Sequence, residues 1–259
     1  ENVDADALDA VVKPGQLPQG TDLLRISQNR IFEKEFLTKA GVKVAPYTVI
    51  NTLEDLNDLD LSKKHVVKTA TGGYDGHGQV VVKNIVDWEE ARELADLQPC
   101  VSEEFVSFLK EISVIISGNG TEFSVYPVCE NLHQNNILDK TIMPARISKY
   151  LAEEARSMAL KIAQTLKLSG TLCVEMFVTN HDILVNEIAP RPHNSGHATI
   201  EACDFSQFDL HIRGILGEPL PKVALLSPAV MLQVLGQDLS NAQHFATENP
   251  SAHLHLYGK

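Results

Sequence analysis

Two glutamates, Glu175 and Glu187, sit in short runs that alternate as β-strands do, Val174-Glu175-Met176-Phe177-Val178 and Ile183-Leu184-Val185-Asn186-Glu187-Ile188. If the loop between them is the three residues Asn180-His181-Asp182, the runs form a hairpin in which Glu175 and Glu187 are directly opposed. Opposed residues share a face, with β-carbons roughly 5 Å apart. Two carboxylates so placed repel unless a proton or a cation lies between them. A hard divalent ion such as Mg²⁺, or Mn²⁺ in its place, meets that need, with phosphate oxygens completing the shell and Asn186 close by. Two solvent-facing glutamates on an amphipathic hairpin fit the same pattern, so the pair takes its meaning from its surroundings.

Those surroundings are rich in anion-binding groups. Lys68 ends an apolar run and leads into Gly72-Gly73-Tyr74-Asp75-Gly76-His77-Gly78, four glycines in seven residues. Glycines at that density let a backbone approach a ligand closely and turn N–H groups toward phosphate oxygens. The order is not that of a Walker loop, and the strands on both sides argue against a Rossmann fingerprint; a lid over phosphates and a tight hairpin turn both fit. Directly after Glu187 comes Ile-Ala-Pro190-Arg191-Pro192-His193-Asn194-Ser195-Gly196-His197, where two prolines stiffen a segment presenting Arg191, His193 and Asn194. Arg191 is suited to gripping an anion through two parallel hydrogen bonds. His193 and His197 stand four apart, but Ser195-Gly196 breaks any helix between them and no HExxH is present, so zinc is not indicated. Glu103-Glu104 and Glu111 read, on their own, as strand-edge acids.

Around these groups the periodicity predicts mixed α and β elements. Phe32, Phe36 and Ala40 recur every fourth residue in a helix running from Ser27 to a stop at Gly41, with Lys34 on its other side. Strands are expected at 44–50, 65–70, 80–82, 100–106, 111–117 and 123–128. Helices are expected at 86–97, at 151–166 with a stop at Ser169-Gly170, and at 208–216 with a stop at Gly217; a short helix opens at Thr52 with Asp55 three residues on. Strands at 230–235 and 253–257 close the chain. Residues 1–20 pass from a short amphipathic helix into the Pro-Gly-rich connector Lys13 to Gly20.

With 34 acidic against 22 basic residues and a net charge of −12, the surface would repel a nucleic-acid backbone over much of its area. No apolar run approaches the roughly 20 residues of a membrane span and no basic leader opens the chain, so a cytoplasmic location is expected. Four scattered cysteines without CxxC spacing indicate neither zinc nor a disulfide framework.

In order, Lys34, Lys68 with its glycine loop, Glu103, Glu111, Glu175 and Asn186-Glu187 resemble the landmarks of the ATP-grasp superfamily. The run NEIAPRPHNSGHATIEACDFSQF narrows this: it resembles the signature of the 5-(carboxyamino)imidazole ribonucleotide synthase family, and GGYDGHGQ and HLYGK resemble two further motifs of that family. The resemblance implies an α+β, ATP-grasp fold: a remnant of an N-terminal domain and linker at 1–20, an ATP-grasp domain at 21–218 with a glycine-loop lid at about 53–108, and part of a small β-rich C-terminal domain at 219–259, most of the family's N-terminal domain being absent. The implied reaction is ATP- and bicarbonate-dependent carboxylation of the exocyclic amine of aminoimidazole ribonucleotide through carboxyphosphate, in a homodimer. Lys34 and Lys68 would then contact ATP phosphates, Glu103 and Val106 the adenine and Glu111 the ribose. Gly72, Gly73, Gly76, Gly78 and Asn186 would complete the ATP site, and Glu175 and Glu187 would hold Mg²⁺. Arg191 would stabilise the bicarbonate-derived anion; Tyr74, Asp75, His77, His193 and Asn194 would position the aminoimidazole nucleotide, and Lys259 its phosphate. His77 stands where the family often carries arginine or lysine, replacing a fixed charge by one that depends on pH. The same fold could serve another carboxylate–amine ligase or a formate-using transformylase, or a nucleotide-binding regulatory module; the carbon source distinguishes the first two.

Overall fold

The structure, a computed structural model, describes residues 3–60, 62–73 and 77–257. After helix α1 (Ala5–Val11), the helix expected from Ser27 begins instead at Arg30, as α3 (Arg30–Lys39), and a separate helix that was not expected, α2 (Asp22–Gln28), precedes it. Asn29 separates them: its backbone is extended and its side chain accepts the N–H groups of Ile31 and Phe32, capping α3. The face of α3 also differs from the spacing argument. Ala40 is buried and Phe36 packs against the core as the spacing expects, but Phe32 is 51% exposed while Glu33, Lys34 and Leu37 are buried. Lys34 goes inward because charged and carbonyl partners wait for it there, and pairing outweighs the cost of burying an ammonium group.

The next layer is a four-stranded antiparallel sheet ordered β1 (Tyr47–Ile50), β4 (Cys100–Glu104), β2 (His65–Thr69), β3 (Gln79–Val82). Helices α4 (Leu53–Asn57) and α5 (Ile85–Leu97) cover one face, burying Ile50, Leu56, Val67, Val80, Trp88 and Ala91 together. The Thr52–Asp55 capping box expected for α4 is formed.

The second sheet has seven strands, antiparallel throughout: β10 (Ile183–Ala189), β9 (Ser169–Val178), β5 (Lys110–Asn119), β7 (Cys129–Gln134), β8 (Ile137–Met143) and β11 (Ala229–Leu232) in order, with β6 (Phe123–Val125) beside β5. Hairpin β7–β8 was not anticipated; Asn135 and Asn136 make its turn with φ of 53° and 62°, a left-handed pair that asparagine tolerates. Helix α6 (Lys149–Leu166) packs on the face bearing Ile112, Val114, Leu172 and Val174. It ends on Lys167 at φ 50°, not at Ser169-Gly170, which already belong to β9. The other face carries Ile115, Cys173 and Met143 and is covered by α7 (Thr199–Ala202) and α8 (Gln207–Leu216), which stops at Gly217 as expected. Helix α8 crosses where Gly214 meets Gly118; a β-carbon on Gly214 would lie 2.3 Å from the Gly118 carbonyl oxygen.

Two C-terminal expectations change. Helix α9 (Leu239–Glu248) had no counterpart in the sequence reading, and His253–Tyr257, whose alternation suggested a strand, forms no ladder. Instead, His255 reaches Glu201 at 2.8 Å and the Tyr257 hydroxyl reaches His197 at 3.0 Å. Among the described residues no helix is long and apolar enough to cross a membrane.

Candidate active site

The two sheets meet around a cleft of about 1370 Å³. Lys68 enters from β2 and Glu103 from β4; Val106 lies in the connection to β5, Glu111 on β5, Glu175 on β9, and Asn186 and Glu187 on β10. Arg191, His193 and Asn194 line it as well, as do Gly72, Gly73 and His77. Tyr74, Asp75, Gly76 and Lys259 lie outside the described residues.

Glu175 and Glu187 do face each other, though not for the expected reason. Val178 pairs with Ile183, so the loop has four residues, Thr179 to Asp182, and would by itself oppose Glu175 to Asn186. A bulge corrects the register: Val185 pairs with Met176, Asn186 is the extra residue, and Glu187 pairs with Glu175. The bulge leaves Asn186 with two free-standing functions. Its backbone carbonyl accepts Lys34 Nζ at 2.9 Å. Its side-chain Oδ1 is buried and, among the described residues, has no hydrogen-bond partner. An orphan amide oxygen beside two carboxylates is a hard, all-oxygen donor set, and it suits Mg²⁺.

The electrostatics describe the same need for positive charge. Glu187 is open to the cleft by its surface exposure, yet desolvation by the surrounding walls and then the Glu175 carboxylate push its carboxyl above its ordinary range. Burial also disfavours charge on Glu175, but the His193 ring, with Nε2 2.9 Å from Oε1, outweighs it and holds that carboxyl low. A third carboxyl, Glu33, was not singled out from sequence. It is buried, accepts the Ile188 N–H at 2.7 Å, and is pushed up to about 8 by burial and by Glu187.

On the opposite wall one carboxylate organises two lysines. Glu103 Oε1 lies 3.1 Å from Lys68 Nζ and 3.3 Å from Lys34 Nζ, and these cations overcome its burial to hold it ionised. Lys34, 1% exposed, is held by Glu103 and the Asn186 carbonyl and does not line the cleft. The neighbouring Arg30, which periodicity did not mark, does line it, and clamps the start of the glycine loop through Thr69 O at 2.9 Å and Gly73 O at 3.3 Å. The Thr69 N–H donates to the Gly78 carbonyl at 2.8 Å, closing that loop, and the Gly78 φ of 69° demands glycine. Phe108 stacks on Phe177 at 4.6 Å beneath the connection bearing Val106, giving the cleft an apolar shelf suited to a flat ring. Glu111 is paired with His133, whose charged form it favours against burial. Arg146 turns away from the cleft and grips Glu130 through Nε and Nη2 at 3.0 and 2.5 Å.

The family model of the ATP-grasp domain matches residues 35–208. N5-carboxyaminoimidazole ribonucleotide synthase of Bacillus subtilis is 45% identical over 264 residues, covering all of this chain and 69% of its own length. An ADP complex of an N5-carboxyaminoimidazole ribonucleotide synthetase superposes with a TM-score of 0.94 at 46% identity, over 100% of this chain and 70% of that one. The chain belongs to the N5-carboxyaminoimidazole ribonucleotide synthase family of ATP-grasp enzymes. A more distant synthase, from Aspergillus clavatus and solved with ADP and 5-aminoimidazole ribonucleotide, is 31% identical with a TM-score of 0.90 over 100% of this chain and 70% of its own. A biotin carboxylase from Campylobacter jejuni, at 18% identity and a TM-score of 0.75, shares the fold alone. The synthase family thus accounts for a fold with a nucleotide-sized cleft between two sheets.

Proposed function

We propose that this chain uses ATP and bicarbonate to carboxylate the exocyclic amine of 5-aminoimidazole ribonucleotide, giving N5-carboxyaminoimidazole ribonucleotide, ADP and phosphate in purine biosynthesis. Membership in the synthase family supports the reaction, and one observation carries the site: the bulge at Asn186 sets two carboxylates, and an amide oxygen with no partner among the described residues, facing a cleft that Lys68 borders from the other sheet. In this reading the adenine lies by the Val106 connection and the phosphates under the glycine loop, near Lys68 and Arg30. Glu111 and His133 take the ribose. Lys34 supports Glu103 and the bulge from behind.

Glu175, Glu187 and Asn186 would hold Mg²⁺. When bound, the ion neutralises phosphate oxygens and offsets the repulsion between the two carboxylates. Phosphoryl transfer to bicarbonate needs positioning and neutralisation of spreading charge more than covalent help from the protein, and Lys68, Arg30 and Arg191 supply cations around the cleft. Bicarbonate oxygen attacks the γ-phosphorus and ADP leaves; the carboxyphosphate, or CO₂ released from it, is captured by the amine, and phosphate departs. Arg191 steadies the bicarbonate-derived anion, while His193 and Asn194 position the aminoimidazole, with Tyr74, Asp75, His77 and Lys259 as further contacts. A homodimer and a cytoplasmic location belong to the same reading and rest on the family; sedimentation of the complete protein tests the first.

The deciding experiment is ADP release by the complete protein with Mg²⁺ and ATP, with and without aminoimidazole ribonucleotide and bicarbonate, beside Glu187→Gln and Arg191→Ala. Turnover that requires both co-substrates and is lost in both variants is expected. Stimulation by formate or an amino acid in place of bicarbonate would instead support another ATP-grasp ligase.

A further inference from the structure

A row of polar side chains crosses the seven-stranded sheet on the face that bears Glu175. Thr141 on β8 is opposite Asn131 on β7, Asn131 is opposite Glu111 on β5, and Ser113, two residues along β5, is opposite Glu175. The row continues the face that elsewhere buries Ile115, Cys129, Met143 and Cys173. Thr141, Asn131 and Ser113 are buried, and buried polar groups persist when every one of them is bonded. They are: Thr141 Oγ1 donates to Asn131 Oδ1 at 3.1 Å, Asn131 Nδ2 donates to Ser113 Oγ at 2.9 Å, and Ser113 Oγ donates to Ser195 Oγ at 2.8 Å. Ser195, fully buried, lies 2.9 Å from His193 Nδ1, and the other ring nitrogen, Nε2, is the one 2.9 Å from Glu175.

We propose that Ser195, Ser113 and Asn131 are positioning residues for the reaction, forming a buried hydrogen-bond chain that holds the His193 ring so that Nε2 faces Glu175 and the cleft. This rests on the reading of His193 as a group that positions the aminoimidazole nucleotide. None of the three lines the cleft; they act through His193 alone. The chain serves either form of the ring. Ser195 donates its proton to a neutral Nδ1, or accepts from a charged ring and turns its own proton to Cys173 Sγ at 3.9 Å.

The backbone of His193 is braced separately. Gln207, at the start of α8, accepts the His193 N–H at 2.8 Å and donates to its carbonyl at 2.8 Å. Gly196 makes room for this brace, since a β-carbon there would lie 2.4 Å from Gln207 Oε1. Removing the Ser195 hydroxyl therefore loosens the ring while the segment stays in place, leaving Nδ1 only the long contact from the Ser195 N–H at 3.4 Å and Nε2 its contact with Glu175. A ring held less firmly loses part of the fixed geometry on which orientation of a bound nucleotide depends.

The test uses the complete enzyme, with ADP release measured against aminoimidazole ribonucleotide and separately against ATP for Ser195→Ala, Ser195→Thr and Ser113→Ala. The parent's requirement for aminoimidazole ribonucleotide and bicarbonate tests the functional reading; the ratios of variant to parent test the chain. Ser195→Ala is expected to lower kcat/KM for aminoimidazole ribonucleotide about 10–100-fold while KM for ATP stays within about twofold. Ser113→Ala should show a smaller loss of the same kind, and Ser195→Thr, which keeps the hydroxyl, should recover most of it. Parental kcat/KM in Ser195→Ala, or a loss that falls equally on ATP and is not recovered by Ser195→Thr, overturns the proposal. Should Ser195→Ala not fold, Ser113→Ala decides: a selective loss for the aminoimidazole nucleotide supports the chain, and parental constants overturn it.

Discussion

Glu187 faces Glu175 because Asn186 is squeezed out of the ladder between them. The bulge both aligns the two carboxylates and leaves the Asn186 Oδ1 buried without a hydrogen bond among the described residues. A group that is left unbonded in the ligand-free protein contributes its energy when the ligand arrives.

Asn186→Ala therefore separates stability from function. The ligand-free Tm should stay within about 3 °C of the parent, since no bond through Oδ1 is lost, while affinity for ATP in the presence of Mg²⁺ falls about tenfold, or about 1.4 kcal/mol. Calorimetric titration with and without Mg²⁺ checks this. An equal fall in both titrations would mean that Asn186 acts on the nucleotide and not through the ion.

Glu33 sets a pH dependence of known sign. Its folded value of about 8 lies above the 4.5 of an unperturbed glutamate, so between these limits the folded protein holds a proton that the unfolded chain gives up. Stability due to this group is present below pH 4.5 and is lost as pH rises through 8. Glu33→Gln, which can still accept the Ile188 N–H, should melt higher than the parent at pH 8, with the difference closing toward pH 4.5. A difference independent of pH would show that Glu33 is not the titrating group.

Lys34 and Lys68 share one carboxylate but should respond differently to substitution. Lys34→Met removes a buried ammonium that bonds both Glu103 and the bulge, and is expected to cost about 3 kcal/mol in urea unfolding. Lys68→Met, at the cleft, should raise KM for ATP more and destabilise less. The reverse ordering would place Lys34 on the nucleotide.

Glu130 makes an acid-sensitive clasp. Hydrogen bonds from Arg146 and then Lys110, at 2.7 Å, hold its carboxyl down at about 2 despite burial. Its contribution is complete above the unperturbed value of 4.5 and is lost as pH falls toward 2. Glu130→Gln should lower Tm at pH 7 and flatten the acid limb of a Tm–pH profile; a parallel profile merely displaced downward would show that the ion pairs are not what titrates there.

The sequence by itself determined the elements whose causes are local. The Thr52–Asp55 box, the Gly217 stop and the alternation of β9 and β10 depend on residues within a few positions of one another, and all were legible. The opposition of Glu175 and Glu187 was legible as well, but through a compensation: one residue too few in the loop and a bulge unforeseen give the same pairing. Only the tertiary structure decided which charges are buried. An amphipathic count put Lys34 outside and Phe32 inside, because periodicity measures hydrophobicity and cannot see that Glu103, some seventy residues away in the chain, would be there to pair. Arg30, Glu33 and His133 were missed for the same reason, and so was the chain from Thr141 to His193, whose members come from three strands and a turn. A polar side chain acquires its role from partners that folding brings to it, and that information lies in the packing of the two sheets and the helices on them, not in the spacing of residues along one strand.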